Sequence, residues 1–163
     1  MSRLDSFIRR LEAQRACINW AAAHISGIPG HVLEIGLGNG RTFDHLRETL
    51  DERDIFVIER SPNPHAACMP NAERLLLGDL REVLTNRSTE FKNQFALVHS
   101  DIGTGDPEHG RAMAKSLSAH LPPWIVPGGV VISDQQLSNP SLIPISLPDG
   151  VAENRYFLYG TKE

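Results

Sequence analysis

Short apolar runs separated by helical stretches constrain this chain more than any other feature. His31–Ile35, Ile55–Ile58, Leu75–Leu77, Phe95–Val98 and Val130–Ile132 read as strands, and none alternates cleanly between apolar and polar residues. A strand that is apolar on both sides has to be covered on both sides, which calls for helices over each face of a sheet. The intervening stretches supply them. Thr42 to Leu50 carries Phe43, Leu46 and Leu50 on one helical face, a short helix is expected from Leu80 to Leu84, and another from Glu108 to Leu121 stops at Pro122 and Pro123. Strand and helix alternating through short loops predict an α/β fold with a doubly wound, mostly parallel sheet.

Both ends depart from this rhythm. Residues 1–26 read as one helix, begun by Ser2 and Asp5 in a near capping box. Leu4, Phe7, Ile8, Leu11, Ile18, Ala22 and Ile25 form its apolar stripe, with arginines on the other face. Leu142–Leu147 and Tyr156–Tyr159 read as two strands joined directly, most simply an antiparallel hairpin, with Pro144 suited to an edge. With 163 residues the expected organisation is a single domain, 1–163. It comprises an N-terminal helix (1–26), a core (31–134) and a terminal hairpin (142–160), and leaves no room for a separate substrate domain.

A formal charge of −4 argues against nucleic acid as the partner. No apolar run approaches the ~20 residues of a membrane span, so no membrane association is expected. Cys17 and Cys68 stand alone, outside any metal or redox spacing, which fits a reduced, cytoplasmic protein.

The chemistry is concentrated at strand ends. Val32–Thr42 places Gly36, Gly38 and Gly40 between a strand and a helix, where backbone and free helix N–H groups can approach a nucleotide-like ligand. The spacing is Gly-x-Gly-x-Gly, because Arg41 stands where a dinucleotide loop needs its third glycine. Glu34 before the glycines would repel a pyrophosphate but attract an ammonium or sulfonium. Glu59 ends the next strand, where a carboxylate can accept from ribose hydroxyls. Gly78 and Asp79 end the third, where Asp79 could meet the exocyclic amine of a base or cap the helix at Leu80. His99 reads as a structural histidine or a general base, and Asp101 and Asp134 stand at the ends of the fourth and fifth strands.

In this order, Glu-x-Gly-x-Gly-x-Gly at 34–40, the acid at 59, Gly-Asp at 78–79, Asp101 and Pro-Gly-Gly at 127–129 resemble the class I S-adenosylmethionine-dependent methyltransferases. Closest is the family of short bacterial S-adenosylmethionine methyltransferases. The resemblance spans His31 to Asp134 and implies a Rossmann-like sheet of seven strands in the order 3-2-1-4-5-7-6, the seventh antiparallel. It also implies that Gly36–Gly40 line the methionine part of S-adenosyl-L-methionine, Glu59 the ribose, and Gly78 and Asp79 the adenine, with S-adenosyl-L-homocysteine as product.

The expected reaction is methyl transfer to a small-molecule acceptor, with Asp101 and Asp134 orienting it and His99 as candidate base. The alternatives are a non-catalytic S-adenosylmethionine-binding module or partner subunit, and an NAD(P)-binding oxidoreductase. No metal is expected. Asp101, Asp134 and Gln135 resemble in outline the Asp, Asp and Asn that hold magnesium in catechol-type O-methyltransferases, but Gln replaces Asn and Mg²⁺ tolerates little displacement of a ligand. The apolar hairpin at 142–159 predicts a homo-oligomer, because an edge strand invites pairing.

Overall fold

The computed structural model describes residues 2–162. Four helices are α1 (Arg3–His24), α2 (Arg41–Thr49), α3 (Leu80–Asn86) and α4 (Pro107–His120). Seven strands are β1 (His31–Ile35), β2 (Ile55–Glu59), β3 (Leu75–Leu77), β4 (Phe95–Ser100), β5 (Ile125–Ser133), β6 (Ile143–Ile145) and β7 (Phe157–Gly160). They form one sheet in the order β3-β2-β1-β4-β5-β7-β6. The first five pair in parallel, and β7 runs antiparallel to both β5 and β6. This is the Rossmann-like methyltransferase fold.

The central strands are largely apolar because they feed two cores. Val32, Leu97, Ile132 and Leu158 meet α1 and α2 on one face, through Cys17, Ile18, Ala21 and Leu46. Leu33, Val98, Val131 and Tyr159 meet α3 and α4 on the other, through Leu84, Leu117 and Leu121. Trp124 is fully buried there, its indole N–H donating to the Leu84 carbonyl at 3.2 Å. The expected β5 starts earlier, at Ile125, and Pro127–Gly129 lie inside the strand at an irregularity in its pairing with β4.

Helix α1 differs from its expected pattern. The capping box at Ser2 and Asp5 forms, and Ile18 and Ile25 are buried. Leu4, Phe7 and Ile8 are instead exposed by 66%, 46% and 44%. At that height the inward positions are taken by Arg10 and Gln14, which engage a carboxylate at the end of β4.

Candidate active site

The parallel strands β1, β2, β3 and β4 end along one edge of the sheet, the place where open α/β sheets bind ligands. From β1 the chain enters the glycine loop at Gly36 with φ 85°, where a Cβ would lie 2.8 Å from the Ile102 side chain. Gly40 is the N-cap of α2 at φ 86°, where a Cβ would strike Cys68. Both positions therefore require glycine.

Glu34 brackets this loop from below. Its carboxylate accepts from the Thr42 hydroxyl, beyond the loop, and meets His99 Nδ1 at 2.7 Å. Glu34 and His99 are register partners on β1 and β4, and neither is exposed. Burial alone would lower the imidazole pKa; the Glu34 carboxylate, with Asp101 and Asp134 adding to it, raises it above its ordinary value. His99 Nε2 has no hydrogen-bond partner among the described residues.

Glu59 ties the tip of β2 to the same loop. Oε2 accepts from Leu37 N–H at 2.9 Å, and Oε1 from Arg60 and Ser61 N–H at 2.8 and 2.9 Å. Burial works to raise its pKa, but these backbone donors hold the carboxyl below its ordinary value. Asp79 is the N-cap of α3, accepting from Arg81 N–H at 2.9 Å, and is exposed. Glu59, Gly78 and Asp79 line a cleft of about 370 Å³ whose other wall is Asp101–Thr104 and Met113.

Asp101, at the end of β4, receives side chains from two distant elements. Arg10 approaches at 2.5 Å, Gln14 Nε2 donates to the other oxygen, and the Tyr156 hydroxyl lies 3.5 Å away. Burial and the Asp101 charge raise the Tyr156 pKa, keeping the phenol a donor. Asp134 accepts from Ile102 and Gly103 N–H at 3.3 and 2.8 Å and from Gln135 Nε2 at 3.1 Å. Burial dominates there and raises its pKa. A second cleft, of about 210 Å³, lies between α1 and the glycine loop and is lined by Phe7, Arg10, Leu11, Gln14 and Arg41. Gly36, Gly38 and Asp101 belong to both clefts.

The structure thus gathers Gly36, Gly38, Glu59, Gly78, Asp79 and Asp101 at one opening. Glu34 and His99 lie beneath it, and Asp134 holds the loop beside it. Arg10, Gln14 and Tyr156 escaped the sequence reading, which placed the arginines of the first helix on an outer face. The only local signal is the i, i+4 spacing of Arg10 and Gln14. Of the three side chains in the magnesium resemblance, Asp101 engages Arg10 and Gln14, and Asp134 accepts from the Ile102 and Gly103 N–H groups and from Gln135.

A glycine loop after β1, an acid at the tip of β2 and a 3-2-1-4-5-7-6 sheet define a class I methyltransferase. More narrowly, the model of the S-adenosyl-L-methionine methyltransferase family matches residues 1–161, and the chain belongs to that family. It is an S-adenosylmethionine-dependent methyltransferase, with S-adenosylmethionine as methyl donor. The crystal structure of an S-adenosyl-L-methionine methyl transferase from Silicibacter pomeroyi DSS-3 is 38% identical, covers 99% of each chain and superposes with a TM-score of 0.94. Two remoter structures share the fold. Human methyltransferase-like protein 13, solved with S-adenosylhomocysteine, is 15% identical over 97% of this chain and 80% of its own, with a TM-score of 0.56. TrmN from Thermus thermophilus is 13% identical over 88% of this chain and 48% of its own, with a TM-score of 0.57. No curated protein matches the chain by sequence.

Proposed function

We propose that the chain methylates a small molecule and that the methyl donor lies across the glycine loop, one end in each cleft. The observation that carries this is the junction: Gly36, Gly38 and Asp101 line both clefts, and the two sides differ in chemistry. The larger suits a nucleoside, with Glu59 accepting from ribose hydroxyls and Gly78 and Asp79 beside the base. Asp79 can cap α3 through one oxygen and still present the other. The smaller suits a zwitterionic amino-acid end, with Asp101 for an ammonium and Arg10 and Arg41 for a carboxylate.

The bound sulfonium supplies a methyl carbon that an acceptor nucleophile attacks in line while the C–S bond breaks and its electron pair goes to sulfur. The residues of this chain position and shield that event. Glu34 and His99 hold the glycine loop in place from below, Thr42 closing it. Asp101, held by Arg10 and Gln14, orients the reactants, and Asp134 fixes the 102–103 backbone that forms the facing wall. His99 is assigned a positioning role here, because its ring is wholly enclosed.

Residues 1–163 are read as one methyltransferase domain, cytoplasmic and homo-oligomeric through the edge strand β6, where Ile143 is 44% exposed. Both cysteines are free and buried, in keeping with a reducing compartment. Among the described residues no helix is long and apolar enough to cross a membrane. Calorimetry with S-adenosylhomocysteine tests the donor site. Micromolar binding that weakens in Glu59→Ala supports it; no heat at millimolar ligand refutes it. Light scattering at micromolar concentration tests the assembly, and a monomer would refute it.

A further inference from the structure

We infer that the methyl acceptor is a small organic anion with an apolar body, an aromatic or medium-chain acid, held under the first two turns of α1 by Arg3 and Phe7. This rests on the reading that the two clefts hold the methyl donor. Arg3, Phe7, Arg10 and Gln14 recur at i, i+4, i+7 and i+11, a single stripe along the helix. Its lower half is fixed, since Arg10 and Gln14 both engage Asp101. Phe7, one turn further out, lines the same cleft as Arg10 and Gln14, and helical periodicity puts Arg3 on this stripe a second turn out.

What lies on that outer half is chemically specific. Phe7 lines the smaller cleft and is nonetheless 46% exposed. Leu4 and Ile8 beside it are exposed by 66% and 44%. Half of the exposed large hydrophobics described, the others being Met69, Leu77 and Ile143, thus crowd onto two turns bordering the donor site. Arg3 is exposed, and none of the ion pairs among the described residues includes it. The nearest acid in sequence, Asp5, is engaged in the capping box with Ser2. The first turns are thus regular helix, carry three exposed large apolar side chains, and include a guanidinium outside every described ion pair.

An apolar ligand body is stabilised against Phe7 by leaving water, and a carboxylate or phosphate is selected by Arg3. A cationic acceptor on these turns would meet Arg3, which joins no ion pair among the described residues. A second copy would bring like guanidinium groups at positions 3, 9 and 10 against one another. Continuity with the donor cleft and this charge pattern both favour an anionic acceptor.

The test loads the protein with saturating S-adenosylhomocysteine, verified by calorimetry for each variant, and then titrates benzoate and benzamide by protein NMR. Benzoate is expected to bind about tenfold more tightly than benzamide. Arg3→Gln should bring the two within about twofold of each other, and Phe7→Ala should weaken both several-fold. Circular dichroism confirms that each variant is folded. Equal affinity for the two probes in the unaltered protein, or a preference that survives Arg3→Gln, overturns the proposal. Binding of S-adenosylhomocysteine without binding of either probe at about 10 mM overturns the acceptor proposal alone. No binding of S-adenosylhomocysteine overturns the donor reading and the proposal with it. A dimer that dissolves in Phe7→Glu would give the patch to a second copy and overturn it as well.

Discussion

The two sides of the site hold their carboxylates by different means. On the β2–β3 side, Glu59 and Asp79 are bound by backbone N–H groups within a few residues or from the neighbouring glycine loop. On the α1 side, Asp101 is bound by side chains from Arg10 and Gln14, 91 and 87 residues away, and approached by Tyr156. Backbone donors are supplied by the fold and do not depend on which residues flank them. Side-chain donors exist only if those residue types are present. The first arrangement suits a feature shared by every turnover, the adenosine of the donor. The second meets the amino-acid end in the proposed donor pose, and depends on side chains brought in by α1.

The largest effect should come from below both sides. His99→Ala leaves the Glu34 carboxyl fully buried and without its imidazole partner. Loss of one member of a buried pair costs on the order of 3–5 kcal/mol, so a large fall in the urea midpoint is expected. An unchanged midpoint would show that the pair holds nothing in place. Glu59→Ala removes ribose acceptors and the anchor of the Leu37 N–H together. S-adenosylhomocysteine affinity should fall by about 10- to 100-fold, as expected for hydrogen bonds to a charged group, with calorimetry as the check.

Arg10→Ala sharpens the contrast. It should weaken S-adenosylhomocysteine several-fold while leaving binding of 5′-methylthioadenosine, which lacks the amino-acid end, nearly unaltered. Equal losses for both ligands would break the division of the site into two halves. Asp79→Ala should cost about 1 kcal/mol of stability as a lost N-cap, measurable by denaturation, and should affect binding less than Glu59→Ala.

The charged groups also predict opposite responses to pH. The folded pKa of His99 is raised above 6.5, so its stabilisation is complete below about that pH and is lost as pH rises through the folded pKa. The stability gap between the unaltered protein and His99→Gln should narrow with rising pH. Glu59 is shifted the other way, below 4.5, so its contribution is present above that value and is lost as pH falls through the folded pKa. Denaturation curves extended well below about pH 4 for Glu59, and up to about pH 9 for His99, would separate the two.

The same contrast explains what could be read from the sequence. The strands were legible because a doubly covered sheet leaves continuous apolar runs, and Glu59 because its distance from the glycines is set by one helix and one strand. Asp79 was legible as the N-cap of α3, since capping depends on the next few residues alone. The α1 side was not. Leu4, Phe7 and Ile8 continue a stripe that buries Ile18 and Ile25, and nothing local marks where the sheet beneath them ends. Glu34 and His99 were each visible, but their pairing depends on the β1–β4 register, which joins residues 65 positions apart. Asp101 was visible as a strand-end acid, whereas Arg10, Gln14 and Tyr156 become its partners only when α1 packs over the sheet and the residue preceding β7 is brought in beyond β5.

A crystal structure of the S-adenosylhomocysteine complex tests the central claim most directly. The account predicts ribose hydroxyls on Glu59, the base beside Gly78 and Asp79, and the amino-acid end across Gly36 and Gly38 toward Asp101 and Arg10. A ligand confined to one cleft, or bound away from the glycine loop, would contradict it.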